Sequence, residues 1–162
     1  MVGRKMKMWS ALVVFIIAIG LLVTGSSILT IALDSEGKIP LGNLITWAGM
    51  IALPLAVYWG SNSLRNPQGR WPLILSILLK IALVMALLWV PISFFLSGNF
   101  NFSFSNRPEF RGGQTAMKMF WAYSYGVAVL SILPILLLWL SLGIDRIIKK
   151  YHRITNATKQ EE

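Results

Sequence analysis

The chain has no cysteine, a single histidine and six acidic residues among 162. Without thiols there is no disulfide relay, no thiolate metal site and no cysteine nucleophile, and one histidine in the tail cannot supply bis-histidine haem ligation. Charged residues make up only 13% of the chain, about half the share usual in a soluble domain. The sequence also lacks a phosphate-cradling glycine loop, a helical histidine pair for zinc, and any intramembrane carboxylate pair or Ser-His set for proteolysis. The expectation is a protein that is not an enzyme and needs no cofactor and no metal.

Apolar residues are what the chain has in excess: 56% of the sequence, with a mean hydropathy of +0.65. Roughly 95 residues fall in four stretches, each near or above the ~20 that cross a ~30 Å hydrocarbon core, so too little remains for a folded aqueous domain. The expected fold class is all-α: a polytopic membrane protein, a four-transmembrane-helix bundle forming one domain over 1–162. The spans are read at about 9–33, 41–60, 71–97 and 119–144, bounded by Gly, Pro, Asn or charged residues. A signal peptide is the rival reading of the first, since Arg4, Lys5 and Lys7 precede it and Thr24 to Ser27 offers small residues for cleavage. Apolar sequence resumes at Ile28 and runs to Leu33, which favours a retained helix. Pro54, Pro91 and Pro134 interrupt the later three spans, each freeing a carbonyl four residues earlier, so kinked helices are expected.

Lys and Arg in the short loops set the orientation. The N-terminal segment, the loop from Ser61 to Arg70 and the tail together hold ten, against four in the other two loops. Both termini are therefore expected in the cytoplasm, with the protein in the cytoplasmic (inner) membrane. Small residues recur every seven positions at Ala11, Ala18, Gly25 and Ala32, and again at Gly42, Gly49 and Ala56. A seven-residue repeat stays on one helix face, and lipid gives apolar helices no hydrophobic drive to associate. Close backbone approach along such seams supplies dispersion contacts instead, which predicts that the first two helices pack as an antiparallel hairpin.

Lys80 is the only ionisable residue deep within a span, about 13 Å along the helix from Trp71 at 1.5 Å per residue. Such a charge is costly in lipid and no span offers it a carboxylate. Two readings stand: Lys80 snorkels over Ser76 toward the basic side, or it binds a partner or anion. The third loop alternates polar and aromatic residues, Asn99, Phe100, Asn101, Phe102, Ser103, Phe104, Ser105 and Asn106, implying an extended strip with one aromatic face. Its phenylalanines are expected on the outer headgroup layer or against a partner, with Arg107 and Arg111 following them. After the fourth span, Ile147, Ile148, Tyr151 and Ile154 oppose Arg146, Lys149, Lys150 and Arg153. This basic amphipathic tail over 145–154 is read as facing lipid headgroups, and 155–162 as disordered. The net charge of +9 thus points to membrane lipids rather than nucleic acid as the partner.

From Leu64 to Lys150 the chain resembles the immunity proteins against pore-forming colicins, of the four-helix group similar to the colicin A immunity protein. The resemblance is carried by the basic loop Leu64, Arg65, Asn66 and Arg70, and by Phe100, Arg107, Pro108, Arg111 and Thr115 before a Tyr-rich fourth span. The first half departs from that pattern in its shorter N-terminal segment and first outer loop. What the resemblance implies is a cytoplasmic-membrane protein that binds a toxin's membrane-inserted hairpin by helix contacts and blocks channel opening. Lys80, Phe100, Phe102, Phe104, Arg107 and Arg111 are the expected partner-binding residues. The alternative is a small transporter or channel subunit, or an assembly factor of a membrane complex.

Overall fold

The computed structural model describes residues 2–35, 38–104 and 113–158. The chain is 83% helical, and no strand occurs among the described residues. Helix α1 covers Val2–Thr24, followed by a 3-10 turn at Ser27–Thr30. Helix α2 covers Leu41–Gly60, the short α3 Asn62–Arg65, α4 Arg70–Leu87, α5 Trp89–Ser97 and α6 Gly113–Thr158. Four helices are long and apolar enough to cross a membrane: Gly3–Thr24, Leu41–Gly60, Arg70–Leu87 and Gly113–Tyr151. No more than 28% of any of their most apolar windows is buried inside the protein. That much outward apolar surface suits lipid, not water, and is the architecture of a multi-pass membrane protein.

Three of the four expected boundaries move. The first helix begins earlier and stops at Thr24 rather than Leu33, because Gly25 adopts φ +60°. Glycine enters that left-handed region without a Cβ penalty, and the amides of Gly25 and Ser26 turn back to the carbonyls of Leu22 and Leu21. The chain then turns through an isolated bridge between Ala32 and Pro40. Asp34 closes this turn by accepting the Ile39 amide at 2.8 Å, a bond that holds its carboxyl below the usual carboxylate range.

The third stretch is interrupted at Leu88, so 71–97 is two helices and not one. Pro91 lacks the N–H that would bond the Leu87 carbonyl, which weakens a continuous helix at this point. In the fourth, α6 runs 46 residues, about 69 Å at 1.5 Å per residue, more than twice the hydrocarbon thickness. Residues 155–158, read from the sequence as disordered, continue this helix, and 159–162 lie outside the described residues.

The bundle is built around α2. Helix α1 packs along it, α4 packs along α6, and α2 meets both α4 and α6. One buried cluster joins Ala11 to Ala52 and Ala56 between α1 and α2. A second joins Leu64, Leu75, Leu79 and Leu138 beneath α3.

Candidate functional site

The inward stripe of α4 is Leu75, Leu79, Ala82 and Ala86, all buried and spaced by three or four residues. Lys80 follows Leu79 by one residue and is carried off that stripe to the exposed side of the helix. It opens onto a groove of about 250 Å³ between α2 and α4, lined by Pro54, Leu55, Tyr58, Trp59, Leu79 and Leu83. The ammonium makes no hydrogen bond or ion pair with any described residue. Ser76, the hydroxyl expected beneath it, is 1% exposed, and its Oγ has no hydrogen-bond partner. The Ser76 contact fails because Ser76 belongs to the buried side of α4.

Over its described residues, 99–104, the aromatic loop does not form an extended strip. The side chain of Asn99 organises it: Nδ2 donates to the Ser97 and Ser103 carbonyls, and Oδ1 accepts the Ser103 amide at 3.0 Å. Phe102 sits at φ +48°, a turn conformation and not an extended one. The rings therefore fold onto their own bundle. Phe102 meets Trp89 edge-on with centroids 5.2 Å apart, Phe104 lies 5.3 Å from Phe120, and Phe100 lies 4.5 Å from Phe94. The carbonyl of Phe100 also accepts the side-chain amide of Asn43 from α2. This cap stands about 13 Å along the helix direction from Lys80, taking nine residues at 1.5 Å each, so the two candidate features form no single site. Arg107 and Arg111 lie outside the described residues.

Sequence reasoning missed a set of hydrogen bonds around the break at Leu88. Carbonyls in the last turn of a helix lack the partners a continuing helix supplies, and hydrocarbon offers none. Here the Met85 carbonyl accepts the Tyr123 hydroxyl at 2.7 Å from α6, and the Ala86 carbonyl accepts Trp47 Nε1 at 3.0 Å from α2. Trp89 Nε1 donates to Ser124 Oγ at 2.9 Å, and that hydroxyl donates to the Phe120 carbonyl. The available signal was Trp47, an indole well inside a span, where interfacial anchoring does not account for it.

The expected seams are formed in part. A Cβ at Gly49 would stand 2.7 Å from the Ala18 Cβ, and Ala11 and Ala56 share one buried cluster. Gly42 lies against the turn after α1, where a Cβ would meet the Leu29 carbonyl oxygen at 2.8 Å. Gly25 and Ala32 fall beyond the end of α1 and do not extend its seam. On α6, Arg146, Lys149 and Lys150 are exposed, and Arg153 lies on the same helix. No cluster of His, Cys, Asp or Glu able to hold a metal occurs among the described residues. Compared with protein-family models, curated proteins and solved structures, the chain matches none.

Proposed function

We propose that this protein is a non-enzymatic integral protein of the cytoplasmic membrane, both termini inside, which acts by helix-to-helix recognition within the bilayer. The observation that carries the reading is Lys80: a cation near the middle of α4, exposed in an apolar groove, with no partner in its own described residues. A lysine at the centre of a membrane helix costs about 2.5 to 3.5 kcal/mol on insertion scales. A partner helix laid over the groove, bringing a carboxylate or unpaired carbonyls to the ammonium, would offset that cost. Pro54, Tyr58 and Trp59 give the groove a rigid wall on the α2 side.

Immunity to a pore-forming bacteriocin is the specific form of this reading, in keeping with the resemblance in the basic loop and before the fourth span. The partner is then the toxin's membrane-inserted hairpin. The experiment is survival of sensitive bacteria that express the chain, challenged with a panel of pore-forming bacteriocins while membrane insertion is followed in parallel. Selective protection by the wild type is expected, retained in Lys80→Arg and lost in Lys80→Met at equal membrane abundance. Full protection by Lys80→Met removes the role given to the lysine. Failure of the inserted wild type against every toxin removes the immunity reading.

A further inference from the structure

Helices α1 and α6 both lie near α2, and an apolar groove runs between them with α2 as its floor. At its wide end it encloses about 520 Å³, walled by Leu12 and Phe15 of α1 and by Leu138 and Leu142 of α6. Past Phe15 and Leu53 it narrows to about 120 Å³ between Ala18 and Val127. The narrow part is apolar, because the Thr46 hydroxyl on its wall is already bonded to the Gly42 carbonyl. Polar groups gather at the wide mouth, at Asn62 and Ser63.

At that mouth Asn62 Oδ1 accepts from Arg4 Nη1 at 3.4 Å and from Arg65 Nη2 at 3.1 Å. Two guanidiniums from different helices are thus drawn onto one neutral acceptor. Neither is paired with a carboxylate among the described residues. Like charges held side by side attract an anion, and a guanidinium matches the oxygens of a phosphate in geometry as well as charge.

We propose that this groove binds one anionic glycerophospholipid, with its acyl chains between α1 and α6 and its phosphate at Arg4, Asn62 and Arg65. Charge complementarity fixes the headgroup end. The taper fixes the class of occupant, because a helix about 10 to 12 Å across needs uniform width, whereas chains of methylenes fit a narrowing channel. Length agrees: from Gly60 to Gly49 the floor covers about 16 Å, close to one leaflet of a ~30 Å core. The site uses a different face of α2 from the Lys80 groove, so loss of either reading leaves the other standing.

The test is binding of a fluorescent phosphatidylglycerol to the purified full chain in neutral detergent. Competitors are unlabelled phosphatidylglycerol, phosphatidylcholine and inorganic phosphate, and the melting temperature of every variant is checked. Displacement by phosphatidylglycerol but by neither of the others is expected. At the strength of one cation near an anionic lipid, each arginine is worth about fivefold, so Arg4→Gln with Arg65→Gln should weaken binding about 25-fold. Leu142→Trp, which fills the groove from an exposed wall position outside both buried clusters, should also weaken it. Lys5→Gln with Lys7→Gln, exposed on α1 and outside the groove lining, should leave it unchanged. Equal losses in the arginine and lysine pairs would mean general surface charge and overturn the site. Wild-type binding by Leu142→Trp, displacement by inorganic phosphate, or a photo-crosslinker at position 142 that captures a polypeptide in place of lipid would overturn it as well.

Discussion

Gly49 offers the sharpest test of the packing argument, because a single methyl group decides it. Ordinary carbon contacts lie at about 3.5 to 4.0 Å, while a Cβ at position 49 would stand 2.7 Å from the Cβ of Ala18. Neither atom is the end of a flexible side chain, so relief requires α1 and α2 to separate by about 1 Å. Separation weakens dispersion along the whole Ala11, Ala52 and Ala56 contact. Overpacking of this kind costs about 1 to 3 kcal/mol, which outweighs the gain of at most about 1 kcal/mol from alanine's helix propensity. Gly20 supplies the control: a Cβ there meets nothing within 4 Å, so Gly20→Ala should be neutral or slightly stabilising. Absence of native cysteine permits two dyes at Gly3→Cys and Asn66→Cys, reporting the separation of α1 from the end of α3, which follows α2, during unfolding in mixed micelles. Gly49→Ala should unfold earlier by the stated amount, and Ala18→Gly in the same chain should recover most of the loss as a coupling between the two sites. The reasoning is refuted if Gly49→Ala matches Gly20→Ala, or if Ala18→Gly restores nothing.

Two further expectations concern hydrogen bonds. Tyr123→Phe and Trp47→Phe each delete a bond to a carbonyl at the end of α4 and should each lower stability in micelles by about 0.6 to 2 kcal/mol; an unchanged unfolding curve in both would mean that these carbonyls find other donors. The Asp34 carboxyl has its folded pKa lowered, chiefly by the Ile39 amide, so the closed turn is fully held above the usual carboxylate range and is lost as pH falls through the lowered value. Hydrogen exchange at the Ile39 amide should therefore quicken at acid pH, and Asp34→Asn, which keeps an acceptor, should flatten that dependence.

Hydropathy located four helices because twenty apolar residues in a row have few alternatives, and α2 begins and ends where its turn residues placed it. Elsewhere the ends moved for reasons that hydropathy does not measure. Ile28 to Leu33 is apolar enough to continue α1, yet Gly25 turns the backbone left-handed before it. Alternation in the third loop implied an extended strip, but period two records only residue types, and the amide of Asn99 bonds across the loop to close it. The seven-residue repeat found Ala11, Ala18, Gly49 and Ala56 and overlooked Ala52, which joins Ala11 and Ala56 from one helical turn before Ala56. Lys80 was legible as a residue, while its groove was not, since the groove depends on how α2 and α4 approach each other.

The two halves of the bundle cohere by different chemistry. Between α1 and α2 the contact is close approach of Ala and Gly, with no side-chain hydrogen bond between the two among the described residues; the Arg4 to Asn62 bond beyond its end reaches α3. Between α4, α5 and α6 the leucine contact of Leu75, Leu79 and Leu138 is joined by polar contacts: Tyr123 and Trp89 donate across it, and Ser93, Ser97, Ser124 and Ser131 are buried on α5 and α6. Small-residue seams are visible in a sequence because their spacing repeats, whereas a hydroxyl meeting a particular carbonyl depends on the break at Leu88 and leaves no period behind. Helix α1 also differs in having α2 as its chief support. A lipid held between α1 and α6 would give that helix a second flank, bringing the groove and the Gly49 seam into one account of how the first helix stays in place.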